Sequence, residues 1–369
     1  MAGSSIGTIF RITTWGETHG KGVGVVVDGC PAGLDLCEGD IQIYLDRRKP
    51  GQSRFTTKRQ EGDVVEILSG VFEGKTTGTP ISMLVYNKDQ RSRDYSNIMD
   101  IYRPGHADYS YDSKYGFRDY RGGGRSSGRE TIARVAAGAI AAKILKQMGI
   151  DIYAYAKSIG PVAVDPDRFD RAVRDQNKLY MPDAEAAIAA ESYLESCMEE
   201  KDSAGGVVEC IIHGMPAGIG DPVFDKISSL LGQAVLSIGA VKGFEIGDGF
   251  SVAESSGSVN NDSFCIEDGH VSKKSNHAGG ILGGISDGSD IVFRAAFKPT
   301  PSIARQQDTV DRFGQETRIE IHGRHDPIIV PRAVVVVETM AATILLDRLL
   351  VNMSSRLDRV LEFYRAPGE

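Results

Sequence analysis

Two halves of this chain echo one another in the same order, which restricts it to folds that a pseudo-two-fold axis can generate. V-V-V-D-G-C-P-A-G-L (25–34) matches C-I-I-H-G-M-P-A-G-I (210–219). I-L-S-G-V-F-E-G (67–74) matches I-L-G-G-I-S-D-G (281–288), and G-R-S-S (124–127) matches G-R-H-D (323–326). Each half then runs into an apolar segment, A-A-G-A-I-A-A-K-I-L (136–145) and V-E-T-M-A-A-T-I-L-L (337–346). A helix apolar nearly all round needs cover on several sides. The expected class is therefore α+β, a β-α-β sandwich with the apolar helices packed between antiparallel sheets and long loops carrying the site. We expect one domain over 1–369, built from two interlocked pseudo-repeats at about 6–150 and 203–350.

Periodicity and turn residues predict strands over 6–14, 23–27, 64–68, 81–86, 206–212 and 291–297. Helices are expected over 38–48, 132–148, 183–199, 222–237 and 332–350. The remaining glycine-rich stretches, 257–269 and 276–284 among them, read as loops.

The stretch Arg103–Thr131 has neither a helical nor a strand period and reads as a long loop. Structureless loops of this length inside a compact domain are uncommon and usually functional. This one holds Arg103, Arg118, Arg121, Arg125 and Arg129, together with His106. Gly122-Gly123-Gly124 lets backbone approach a ligand closely, and the Ser127–Glu130 spacing is that of a capping box opening the apolar helix. Glycines leading into a helix N-terminus among guanidiniums suit an anion, above all phosphate. No G-K-[ST] follows, so it is not a Walker loop.

A second basic loop carries Arg47, Arg48, Arg54 and Arg59. His19 stands at a glycine-flanked turn between two strands; the glycines at 20, 22 and 24 precede a strand, unlike those of a dinucleotide loop. If the repeat places loops 124–127 and 323–326 on one cleft, His19, His106, Arg125 and Asp326 become a single candidate site. The net charge of −8 argues against a general nucleic-acid binder and makes the arginine clusters more telling. The five cysteines form no C-x-x-C, so neither a zinc ribbon nor a disulfide framework is indicated, and no metal site is expected. The first residues lack the charged and apolar regions of a secretory signal, and no apolar run is long enough to span a bilayer. A cytoplasmic protein is expected.

Several segments together resemble the chorismate synthase family across essentially the whole chain: G-E-T-H-G (16–20), D-R-R-K-P-G-Q-S-R (46–54), R-P-G-H-A-D (103–108), R-D-Y-R-G-G-G-R-S-S-G-R-E-T (118–131), A-V-K-G-F-E-I-G-D-G-F (240–250), S-N-H-A-G-G-I-L-G-G (275–284), K-P-T-P-S (298–302) and G-R-H-D-P (323–327). Three positions depart from the family pattern. Thr18 stands where serine is usual, Gly128 where alanine is common, and Gly239 where asparagine is common.

The resemblance implies the last step of the shikimate pathway. In it, 5-enolpyruvylshikimate 3-phosphate loses phosphate and a C6 proton by 1,4-anti elimination to give chorismate, with reduced FMN required but no net redox change. It implies His19 as proton donor to the departing phosphate and His106 as proton source for reduced FMN. It further implies that Asp326 takes part in removing the C6 proton through the flavin N5. The implied FMN contacts are Arg125, Ser126, Ser127, Gly239, Ala240, Gly283, Lys298, Pro299, Thr300, Pro301, Ser302 and Arg324. Arg48, Arg54, Arg129 and Arg134 would hold the anionic substrate or NADP, planar guanidiniums being apt partners for carboxylate and phosphate. NADPH is a candidate reductant, and a homotetramer is implied. Two other readings stay open on the residues alone: a different flavin enzyme using the same phosphate cradle, and an anion or nucleic-acid binding module.

Overall fold

The computed structural model describes residues 3–56, 61–88, 98–321 and 326–365. The first half contributes β1 (Ser5–Ile6), β2 (Arg11–Gly16), β3 (Gly22–Asp28), β4 (Val65–Ile67), β5 (Val71–Phe72), β6 (Lys75–Thr76) and β7 (Ile81–Tyr86). All but β5 and β6 form an antiparallel sheet in the order β1-β2-β3-β7-β4. The second half contributes β8 (Asp151–Ile159), β9 (Val162–Ala163), β10 (Gly206–His213), β11 (Val241–Ile246), β12 (Phe264–Glu267), β13 (His270–Lys273), β14 (Ile281–Leu282), β15 (Ile285–Ser286), β16 (Ile291–Phe297), β17 (Gln307–Val310) and β18 (Glu316–Ile319). Its main sheet is antiparallel, in the order β11-β16-β10-β8-β9. The helices are α1 (Glu38–Arg48), α2 (Asp108–Tyr115), α3 (Thr131–Gln147), α4 (Ala184–Glu199), α5 (Ile227–Leu236), the short α6 (Gly257–Asn260), α7 (Val330–Asn352) and α8 (Leu357–Tyr364).

Alternation in the central strands decides where the core lies. Ile81, Met83 and Val85 of β7 are buried, as are Ile291, Phe293, Ala295 and Phe297 of β16. Burial on alternate residues marks one covered face per sheet. α3 covers β2, β3 and β7, α7 covers β8 and β10, and the two helices pack on each other. Helices therefore lie between the sheets, which is why α7 is buried from Val330 through Arg348 apart from the half-buried Arg332. The crossing is close: a β-carbon on Gly138 would stand 2.3 Å from the Thr339 carbonyl oxygen. Only a residue without a β-carbon lets the two backbones approach this far.

The halves share hydrogen bonds as well as residues. Gly33 N donates to Thr76 O and Leu34 N to Thr76 Oγ1, at 2.8 and 3.0 Å. Gly218 N donates to Ser286 O and Ile219 N to Ser286 Oγ, at 2.8 and 2.9 Å. Thr76 Oγ1 donates to Pro31 O and Ser286 Oγ to Pro216 O. The P-A-G turns thus correspond as the sequence suggests, but the hairpins do not. Val71 pairs with Thr76, and Ile281 with Ser286. Gly74 therefore corresponds to Gly284, not Gly288, and the alignment of 67–74 with 281–288 is displaced by four residues. The hydroxyl that seals the P-A-G turn fixes the register; the shared I-L-x-G letters do not.

The segment between β1 and β2 is tied to α7. The backbone N–H groups of Thr8, Ile9 and Phe10 all donate to Asp347 Oδ1 of α7, at 2.7–3.0 Å. Other expectations need adjustment. The 222–237 helix starts only at Ile227, strand β8 was not foreseen, and the region 103–131 contains α2. Among the described residues no helix is long and apolar enough to cross a membrane.

Candidate active site

The triple glycine organises the site. Gly122 and Gly123 hold left-handed φ values of 67° and 82°. A β-carbon on Gly122 would stand 2.4 Å from His19 Cδ2, and one on Gly123 would stand 3.0 Å from His106 Cε1 and 3.2 Å from its Nε2. Two imidazoles from distant turns thus rest on adjacent glycines. His19 comes from the turn between β2 and β3, His106 from the turn just before α2.

His106 is anchored through its other nitrogen. Nδ1 lies 3.0 Å from Asp108 Oδ1 and 3.0 Å from Arg103 Nη2. Asp108 also accepts from Arg103 N, Nε and Nη2 at 3.0, 2.8 and 2.8 Å. Burial works against the Asp108 carboxylate, yet the Arg103 and His106 bonds outweigh it and hold that carboxyl well below its ordinary range. Asp108 opens α2, and Gly116 in the left-handed region ends it. This tie produces a helix where no apolar period announces one.

Behind Gly122 lies a buried charge cluster. Arg48 Nη1 and Arg129 Nη1 each donate to Asp63, to Oδ2 and Oδ1, both at 2.7 Å. Arg48 also donates to Thr131 Oγ1 and Gly128 O, fastening α1 to the start of α3. Burial, then the neighbouring Arg332, pushes the Arg48 guanidinium down, with Arg129 adding to it and Asp63 opposing. Arg332 donates to Asp326 Oδ2 at 2.6 Å and to the Arg48 carbonyl at 3.0 Å. Arg129 Nε donates to Asn87 Oδ1, and Asn87 Nδ2 donates to the carbonyls of Glu17 and Gly20, on either side of His19. Asp326, Arg48, Arg129 and the His19 turn therefore belong to one connected network.

On the other side of the α3 N-terminus lies a cavity of about 1000 Å³, lined by Gly123, Arg125, Ser126, Asp108, Glu130 and Arg134 among others. Arg125 is held there by Thr14 Oγ1 at 2.6 Å and by the Thr14 and Gly16 carbonyls. Arg134 donates to Glu130 and Ser237. It faces this cavity, not the Arg48–Arg129 cluster. Ser127 caps the turn entering α3, accepting from Arg129 N. Lys298 ties its segment to the turn ahead of α2: its Nζ donates to Gly105 O, and its backbone N to Ala240 O. Burial, then Lys242, pushes the Lys298 ammonium down. Pro301 packs on Gly105, Ala240 takes a left-handed φ of 74°, and nothing crowds Gly239. Thr300 and Ser302 follow in the same segment, Ser302 buried. Pro299 packs against Gly205.

Two expected residues are engaged with partners outside these groups. Arg54 is more than half exposed, paired with Glu191 and Glu195 of α4 and lying over Phe55. Gly283 sits at the β14–β15 turn, and its neighbour Gly284 packs on Lys226 and Asp221. Asp221 lies 3.9 Å from Arg348, at the far end of α7 from Arg332, sixteen residues or about 24 Å along the helix. Arg324 lies outside the described residues. Asp63, Asn87, Asp108 and Arg332 were missed. None of the four carries a motif of its own: Asp108 is tied to Arg103 and His106 nearby, whereas Asp63, Asn87 and Arg332 meet their partners only in the folded chain.

Three buried polar atoms at the site have no hydrogen-bond partner among the described residues: Thr18 Oγ1, Arg129 Nη2 and Thr300 Oγ1. Buried donors are rarely left unpaired without a reason. Here they fit an oxygen-rich anionic ligand.

A sequence profile described as chorismate synthase matches residues 10–350. The chain is 64% identical over 365 residues to the chorismate synthase of Agathobacter rectalis, covering 99% of this chain and all of that one. It is 65% identical over 365 residues to that of Lachnospira eligens, with the same coverage. A solved structure titled as chorismate synthase superposes with a TM-score of 0.76 at 33% identity, covering 97% of this chain and 96% of the other. On the extent of these matches, joined to the site just described, the chain belongs to the chorismate synthase family.

Proposed function

We propose that the chain converts 5-enolpyruvylshikimate 3-phosphate to chorismate by 1,4-anti elimination at the cleft where His19 and His106 converge on Gly122 and Gly123. That convergence, observed in the close approach of both rings to one glycine pair, is what carries the reading. The family uses reduced FMN, and the unpaired donors Thr18 Oγ1, Arg129 Nη2 and Thr300 Oγ1 suit the phosphates and carboxylates that a flavin and this substrate bring. Arg125, Ser126, Ser127, Gly239, Ala240 and the segment Lys298–Ser302 would hold the cofactor. Reduced FMN, when bound, lends electron density to the substrate and recovers it, so nothing is consumed.

The protein's own groups then have distinct tasks. Arg48 and Arg129 grip substrate anions from fixed positions. His19 gives a proton to the phosphate oxygen as the C–O bond breaks, a step at which negative charge grows on the leaving group. His106, pinned at Nδ1, presents Nε2 at Gly123 and holds a proton there. Asp326, oriented by Arg332, is the carboxylate towards which the C6 proton moves. The whole chain acts as one unit of two interlocked pseudo-repeats, and the hydrogen bonds shared by the P-A-G turns support that view. The resemblance also supports a cytoplasmic homotetramer, with NADPH as a candidate reductant.

The test is anaerobic mixing with dithionite-reduced FMN and the enolpyruvyl substrate. Chorismate absorbance and free phosphate should rise together while reduced FMN stays constant. Stoichiometric loss of reduced flavin would identify a different flavin enzyme.

A further inference from the structure

We infer that Asp63 is a positioning residue for this reaction, setting the spacing of the two guanidiniums that grip the substrate; this rests on the substrate reading of Arg48 and Arg129. The Asp63 side chain is wholly buried, and each of its oxygens takes one guanidinium at 2.7 Å. Two buried like charges brought together on their own would repel strongly in a medium of low dielectric. One carboxylate spread between them cancels that repulsion and sets the distance from Arg48 to Arg129 by its own width.

The donors left over show what the clamp achieves. Arg48 gives Nε to Thr131 Oγ1 and one hydrogen of Nη2 to Gly128 O, which with the Asp63 bond uses three of its five N–H groups. Arg129 gives Nε to Asn87 and leaves Nη2 buried without a hydrogen bond, with Glu61 at 3.6 Å. Asp63 thus holds Arg129 so that one donor stays unspent.

Backbone geometry supports a role beyond charge balance. Asp63 adopts φ 45°, the left-handed region that non-glycine residues rarely occupy. The strained turn is tied to α1 by Gln42, whose Nε2 donates to the carbonyls of Gly62 and Asp63 at 3.4 and 3.3 Å and whose Oε1 accepts from Val65 N. The helix that carries Arg48 therefore also holds the turn that aims Asp63.

The test compares wild type with Asp63→Asn, Arg48→Ala, Arg129→Ala and the Asp63→Asn/Arg129→Ala double variant. Turnover is measured under saturating reduced FMN, and substrate binding separately with oxidised FMN. Asp63→Asn should raise KM and weaken binding roughly 10- to 100-fold while kcat at saturation moves less than about fivefold, because uniform binding is what is lost. On the Arg129→Ala background the same substitution should do much less, since the two act through one contact. Should Asp63→Asn fail to fold, Gln42→Leu relaxes the same turn and should raise KM several-fold with an almost unchanged Tm. Unchanged KM in whichever of the two folds, or tighter substrate binding on loss of the negative charge, overturns the proposal. If Arg48→Ala and Arg129→Ala themselves leave KM unchanged, the substrate reading fails; if they raise it and Asp63→Asn does not, only the Asp63 assignment fails.

Discussion

Replacing Gly122 with alanine separates the placement of His19 from general loop strain. The new β-carbon would sit 2.4 Å from His19 Cδ2 and 2.7 Å from Nε2. Carbon atoms in contact settle about 3.5–4.0 Å apart, so the imidazole must retreat by about 1.1 Å or more. The ring is the far end of a rotatable side chain, so it can move at little cost in stability while leaving its working position. A displacement of that size costs on the order of 10²-fold in rate when the group must meet a reacting atom. A left-handed backbone adds about 1–2 kcal/mol of strain for any residue with a β-carbon. Gly116, the C-cap of α2, supplies the control: its φ is 79° and nothing lies within 4 Å of its added carbon. Both variants should lose similar stability in thermal unfolding, yet only Gly122→Ala should lose roughly 10²-fold in kcat with reduced FMN. Equal turnover in the two folded variants would refute the placement of His19 against this loop as a requirement for catalysis.

His106→Ala and Asp326→Ala should each lower turnover by roughly 10²-fold or more under saturating reduced FMN, with Tm little changed, as loss of a proton-transfer group does. Near-normal rates in both would remove their assigned roles. Arg54→Ala should raise KM without lowering Tm, because the exposed pairs with Glu191 and Glu195 contribute at most about 1 kcal/mol and release the side chain readily to an anion; steady-state kinetics and thermal unfolding check both halves. Asp108 has a folded-state pKa below its unfolded value of about 3.8, so its stabilising contribution is present above about pH 4 and is lost as pH falls further. The stability gap between wild type and Asp108→Asn, measured by urea unfolding, should therefore be constant from pH 7 to 5 and shrink below about pH 4.

Much of the layered fold was legible because α3 and α7 are apolar nearly all round, and a sandwich gives such helices cover on several sides. The P-A-G turns were legible too, since the same small residues close the same turn twice. The hairpin register was not. Thr76 and Ser286 are unremarkable letters until their hydroxyls are seen sealing those turns. α2 was hidden because Y-S-Y-D-S-K-Y carries no apolar stripe, and the helix is held through the Arg103–Asp108 pair at its start. Strand β8 lies in a stretch whose tyrosines and alanines alternate weakly. At the site, residues rich in chemistry could be found by type and by resemblance to a family. Those that aim them could not: Asp63, Asn87 and Arg332 act across separations that no local pattern records.

The clasp between Asp347 and the amides of Thr8, Ile9 and Phe10 joins residues as much as 339 positions apart. During synthesis the amino-terminal edge of the first sheet emerges early but finds its acceptor only when α7 has left the ribosome. Until then three backbone donors just ahead of β2 are open to other strands, including those of neighbouring nascent chains. Folding so dominated by distant contacts is slow. The segment ahead of β2 thus gains its final hydrogen-bond acceptor late, with the arrival of α7.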